Sequence, residues 1–177
     1  SRRQRQMCIR DRYTGALKVL QMIFSYEYLW IQIRVKGGAY GCMCSFSDQG
    51  DSMFVTYRDP NLSESYKVYD EAADYVADFD ADDRDMKKYI IGTIGSMDMP
   101  MEAVDMGARS FHAYFLGKTE ADLQKVRDQV LSCTQEDIRA LAPIVKAVVE
   151  AGNRCCIGNE EKIDQNKEYF DEVKHVL

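Results

Sequence analysis

The stretch Leu29–Ser47, LWIQIRVKGGAYGCMCSFS, constrains the fold most. It passes from a bulky apolar run, through Arg34 and Lys36, into the Gly37-Gly38 break, then Tyr40 and an alternating segment. The spacing predicts a helix end, a glycine turn and a strand. Upstream, Leu17, Leu20, Ile23, Phe24 and Ile31 recur at helical spacing, so the helix should span Tyr13–Val35. Its apolar face is wide, as expected of a helix buried on more than one side. Downstream, Cys42, Cys44 and Phe46 alternate with Met43, Ser45 and Ser47. The loop Asp48-Gln49-Gly50-Asp51 supplies turn chemistry, and Met53, Val55 and Tyr57 alternate with Phe54 and Thr56. An antiparallel hairpin is the expectation.

Arg58-Asp59-Pro60 should end that hairpin, because proline cannot donate to a ladder. Asn61 with Glu64 forms a capping pair for a helix carrying Leu62, Tyr66, Tyr69, Ala73 and Val76 and ending near Phe79. A second helix follows Asp80 with Met86, Tyr89, Ile90 and Ile94, and Met101–Gly117 reads as helix of weaker period. Thr119 with Asp122 and Thr134 with Asp137 open two further helices. Pro143 should kink or split the second of these, and Gly152 should close it. Arg154–Gly158 reads as a short strand and Glu160–Val176 as a charged helix. The class is α+β: helix, hairpin, several helices, one late strand and a C-terminal helix. So few strands make a thin sheet for so much helix, and a lone late strand needs partners, so the unit is expected to lack earlier strands.

With 177 residues, 46% of them apolar, the chain amounts to one domain or a large piece of a bigger one. The net charge of −6 argues against nucleic acid and anionic membrane as partners. No apolar run approaches the roughly 20 residues needed to span a bilayer. The first twelve residues, SRRQRQMCIRDR, hold five arginines and one aspartate, and the remainder carries 18 basic and 28 acidic residues. A basic arm for nucleic acid is one reading of residues 1–12 and a targeting peptide a weaker one, for want of an apolar stretch after the arginines; a non-native leader is preferred, with 13–177 as the folded unit. Six cysteines in a core-rich chain read as reduced thiols, which points to a cytoplasmic location.

Several candidate sites resolve into structural readings. The acidic run from Asp78 to Asp85 has Asp83 where a calcium loop needs glycine and Tyr89 where it needs a bidentate glutamate. It reads as a helix connection. The glycine stretch from Gly37 to Gly41 lacks the lysine and hydroxyl of a phosphate loop. Cys42 and Cys44 share a strand face, but adjacent Cys155 and Cys156 point to opposite faces, so a four-cysteine metal site is not expected. The two histidines, His112 and His175, stand in no zinc or nucleophile motif. Arg34 and Tyr40 remain, and their residue types alone leave two readings open, a structural one as a helix-end arginine and a strand-start tyrosine, and a chemical one. An arginine can bind a carbonyl or carboxylate with two donors, and a tyrosine can donate to a developing oxyanion. The glycine pair admits another backbone, and the strand beyond offers an edge to an extended peptide.

LWIQIRVKGGAYG, with YRDPNL at Tyr57–Leu62 and YIIGTI at Tyr89–Ile94, resembles the C-terminal part of the presequence-protease branch of the pitrilysin/insulinase zinc metallopeptidases. The likeness runs from about Ala16 to Val176. It implies the last of four related α/β sandwich units that enclose unstructured peptides, here incomplete on its N-terminal side. The family's inverted zinc motif, H-x-x-E-H, and its Zn2+ belong to the first unit and are absent from this chain. By motif, the resemblance implies that Arg34 and Tyr40, with Gly37 and Gly38, bind the scissile region and help stabilise the tetrahedral intermediate. The implied partners are peptide substrates and the zinc-bearing N-terminal half of the same protein. The chain alone is then expected to be inactive. A non-catalytic scaffold subunit, or a stand-alone peptide-binding module of the same fold, are the alternatives.

Overall fold

The computed structural model describes residues 13–174. The expected leader at 1–12, and His175 and Val176 at the other end, lie outside the described residues. Helix α1 begins as an α-helix over Gly15–Ile23 and continues through wider π turns at Phe24–Tyr28 and Trp30–Lys36. Its buried positions, among them Leu17, Leu20, Ile23, Phe24, Leu29 and Ile33, run its whole length. Leu17, Leu20, Ile23 and Phe24 of the expected stripe thread the core, but Ile31 is 39% exposed, because the wider π turns bring Leu29 and Ile33 to the buried face instead.

Strands β1 (Gly41–Phe46) and β2 (Ser52–Tyr57) pair antiparallel, Gly41 opposite Tyr57 and Phe46 opposite Ser52. Cys44 and Phe46 face the core, while Met43 and Met53 face outward. Phe24 is fully buried where helix and hairpin meet, its ring 5.7 Å from those of Tyr28 and Phe54 and 6.3 Å from that of Phe46. Helices α2 (Leu62–Asp70) and α3 (Ala72–Ala77) occupy the stretch expected to hold one helix, broken at Glu71. The Tyr28 hydroxyl donates to the Val68 carbonyl at 2.7 Å and ties α2 to α1.

Helix α4 (Asp83–Met97) is capped by Asp82, whose carboxylate accepts from the Arg84 and Asp85 amides. The acidic run thus opens a helix, where the dipole favours negative charge. Helix α5 (Ala103–Phe115) contains no buried residue. Helices α6 (Glu120–Leu131) and α7 (Gln135–Arg139) each begin with the expected reciprocal cap, Thr119 with Asp122 and Thr134 with Asp137. Pro143 sits in the first turn of α8 (Ala142–Glu150) and splits it from α7, and Gly152 closes α8 with φ of +65°.

Two expectations fail at the C-terminal end. Arg154–Gly158 is not a strand: it has no ladder partner among the described residues, and Ile157 is 92% exposed. Glu160–Val176 is not one helix but α9 (Glu160–Asp164) followed by a 3-10 turn at Lys167–Tyr169. The reason is the same in both cases. Strand and helix patterns persist only where packing repays the ordering entropy, and these segments have little to pack on.

Burial raises the thiols of Cys44 and Cys133 from an ordinary 9.0 to about 12. The unfolded chain ionises first, so their contribution to stability is complete below pH 9 and is lost as pH rises from 9 towards 12. Denaturation midpoints measured across that window should fall. Below it, alkylation mapped by mass spectrometry should mark exposed Cys155 well before Cys44 and Cys133. Equal rates at the three thiols would contradict this core.

Candidate functional site

The π turns of α1 end at the glycine break. The Gly37 amide donates to the Gln32 carbonyl at 3.0 Å, Gly38 to Arg34 at 3.1 Å and Ala39 to Ile33 at 3.2 Å, closing the helix with its own carbonyls. Gly38 has φ of +78°, a region that favours glycine. A Cβ on Gly37 would sit 2.5 Å from the Ile33 carbonyl oxygen. The turn's own backbone therefore accounts for both glycines. Ala39 is buried and anchors the exit into β1.

Four residues apart on α1, Trp30 and Arg34 stack, with the guanidinium 4.0 Å from the indole centroid. Arg34 has no carboxylate partner among the described residues. Its charge reaches β1: burial pushes the Cys42 thiol up, and the Arg34 guanidinium partly offsets that rise. On the other side of the turn the Tyr40 amide donates to the Tyr57 carbonyl at 3.1 Å. The Tyr40 ring meets the Tyr57 ring edge-on at 5.9 Å, and 66% of the residue is exposed. Arg58 holds its guanidinium 5.4 Å from the Tyr57 ring centroid and 5.9 Å from that of Tyr40. Arg34 and Tyr40 thus bracket one turn, each on its own aromatic support, with polar ends not taken up by other described groups.

The segment Tyr57–Asn61 straps this turn. Arg58 has φ of +49°, the one positive φ outside glycine among the described residues. The Asp59 carboxylate accepts from the Asn61 amide at 2.9 Å and from the Ser65 hydroxyl. The Asn61 side chain makes no cap on α2. Its Nδ2 donates instead to the Gly37 carbonyl at 2.7 Å. Sequence reasoning missed this latch, along with Trp30 and Arg58. The signal was the aspartate, proline and asparagine in a row, which mark a rigid turn but not what it grips. Asn61→Ala should lower stability by about 1 kcal/mol, the usual worth of one such bond, read from the denaturation midpoint. Asn61→Asp should do the same, because a carboxylate cannot donate to Gly37.

A family model described as the PreP C-terminal domain matches residues 10–159. The chain belongs to that family. Over 166 residues, 94% of the chain, it is 41% identical to Protein HypA of Clostridium perfringens, of which the match covers 17%. Presequence protease 1, chloroplastic/mitochondrial, of Arabidopsis thaliana is 33% identical over 92% of the chain and 16% of its own length. Presequence protease, mitochondrial, of Aspergillus fumigatus is 34% identical over 86% of the chain and 14% of its own length. This PreP C-terminal domain therefore spans about a sixth of these curated relatives. The names also correct the expected location. Relatives called presequence protease are named for mitochondria or chloroplasts, which conflicts with a plainly cytoplasmic protein. Free thiols report a reducing environment and do not say which compartment supplies it.

Proposed function

We propose that the parent of this PreP C-terminal domain is a zinc-dependent endopeptidase of short unstructured peptides, and that this chain supplies its Arg34/Tyr40 substrate-binding turn. The observation that carries the reading is the turn itself. It sets a guanidinium and a phenol on either side of two glycines, and neither group is used up in an ion pair or hydrogen bond among the described residues. Arg34 would hold the carbonyl region of the bound peptide with two donors, and the Tyr40 hydroxyl would donate to the oxygen that gains charge as the carbonyl becomes tetrahedral. Gly37 and Gly38 would leave room for the peptide backbone.

Among the described residues, no three His, Cys, Asp or Glu side chains are grouped so as to hold a metal ion. The metal in this reading belongs to the part of the parent that precedes this chain, and the chain by itself is inactive. The same division of labour favours a larger sheet of the pitrilysin sandwich type in the parent. Its support is the two-stranded sheet, thin for so much helix, with a cleft of about 340 Å³ beside it lined by Ser52, Phe54, Tyr69 and Arg154.

The test is to express the intact reading frame and this chain separately and assay both with an unstructured peptide. The parent should cleave it and lose activity to a zinc chelator, and the isolated chain should leave it intact. Cleavage by the isolated chain, or a parent indifferent to chelation, would overturn the assignment.

A further inference from the structure

Helix α5 carries Val104, Ala108, Phe111 and Phe115 at steps of four, three and four, the stripe that a helix normally turns to a core. Here it turns to solvent. Val104 is 79% exposed, Tyr114 79% and Phe115 68%, and among the described residues the Phe115 ring meets only neighbours on its own helix, Phe111 edge-on at 4.6 Å and Tyr114 edge-on at 5.7 Å. Met99, just before the helix, is exposed as well, while Met101 lies against Arg109 on the polar side, its Sδ 3.8 Å from the guanidinium nitrogen. A contiguous exposed patch of this kind marks an interaction surface.

Two observations say what covers it. The relatives are about six times longer than the matched part, so most of each such polypeptide lies outside it. The start of the described chain also lies at this end of the molecule. Asp48 acts on the Tyr13 phenol and the Lys18 amine, and it pairs with Lys118, which follows α5 directly. Lys18 lies within electrostatic reach of Arg109 on α5 itself. Polypeptide arriving at Tyr13 therefore enters beside the helix, at the high effective concentration that a tether confers.

We infer that the Val104, Phe111 and Phe115 face of α5 is an intramolecular docking surface for an apolar face of the polypeptide that precedes residue 13 in the parent protein. The inference rests on the chain being the C-terminal part of a longer protease. Its function is to join the Arg34/Tyr40 turn to the remainder of the enzyme through a surface that the described residues leave bare. The occupant is apolar, because charged residues of α5 such as Asp105 and Arg109 fall outside the stripe.

The test uses the intact parent protein carrying Phe115→Cys or, on the polar side of the helix, Asp105→Cys. Thiol-alkylation rates at the two positions are read by peptide mapping under native conditions. The thiol at 115 should react at least about tenfold more slowly than that at 105, since a docked site reacts only through local opening. Val104→Cys repeats the measurement should Phe115→Cys fail to fold. Equal rates, or protection that disappears on dilution and so belongs to a second copy, would overturn the inference. Peptidase activity is measured on the same samples. An active protein with an unprotected helix defeats the docking surface alone. A protected helix in a protein without peptidase activity defeats the functional reading and leaves the docking surface standing.

Discussion

Replacing Tyr40 by phenylalanine in the parent protein is expected to lower kcat/KM for peptide cleavage by roughly tenfold to a thousandfold, the range seen when one oxyanion donor is removed. The substitution deletes a single oxygen. The ring stays against Tyr57 at the edge-on distance of 5.9 Å, and the Tyr40 amide still donates to the Tyr57 carbonyl. Because the residue is 66% exposed, the folded state loses no buried hydrogen bond. The loss should appear mainly in kcat, since the donor matters most where charge develops. Zinc content should not change. Arg34→Lys is the companion variant. It keeps the charge but gives up the planar fork and the stacking on Trp30, so KM should rise. Wild-type kinetics in Tyr40→Phe would remove Tyr40 from the reaction, whatever the parent hydrolyses.

The second large effect is on stability. Phe24→Ala should cost about 3–5 kcal/mol, the range for emptying a buried aromatic site. Phe24 is fully buried, and its ring lies within 6.3 Å of those of Tyr28, Phe46, Phe54 and Tyr75. The position joins α1, the hairpin and α3, so three elements lose a shared partner at once. A domain of this size is stable by only about 5–15 kcal/mol, so the variant should sit close to unfolding at room temperature. The check is a pair of denaturant titrations, with Ile157→Ala as the control. Ile157 is 92% exposed, and its substitution should move stability by no more than about 0.5 kcal/mol. Similar losses for the two variants would show that the core is centred elsewhere.

Much of this architecture was legible in the residues because its rules are local. The Thr119/Asp122 and Thr134/Asp137 pairs form reciprocal caps, since a threonine three residues before an aspartate can close that geometry without help from the rest of the chain. Pro143 splits a helix because its ring excludes the preceding turn. Alternation put Cys44 and Phe46 on one face, because a strand has period two, and that face is the buried one. The helix end at Gly37-Gly38 followed from the same kind of rule. The same turn sets Arg34 and Tyr40 on its two sides, while the role proposed for them came from the family resemblance and not from a local rule.

Other features were decided by contacts between residues distant in the chain. Asn61 has the local signature of a helix cap, yet its side chain grips the Gly37 carbonyl across 24 positions of sequence. Asp59 takes over the start of α2 through its bonds to Asn61 and Ser65. Arg154–Gly158 has the composition of a strand, but a strand exists only with a ladder partner, and none is present among the described residues. The stripe on α5 announced a helix and gave no sign that it would face solvent. From its sequence alone, then, this protein has its helices, hairpin, glycine turn and the two polar residues beside it, because caps, periods and φ preferences act over a few residues. Which groups hold that turn, which strand stays unpaired and which helix keeps a bare apolar face were settled only by tertiary structure, because each depends on whether a partner from elsewhere in the chain arrives to complete it.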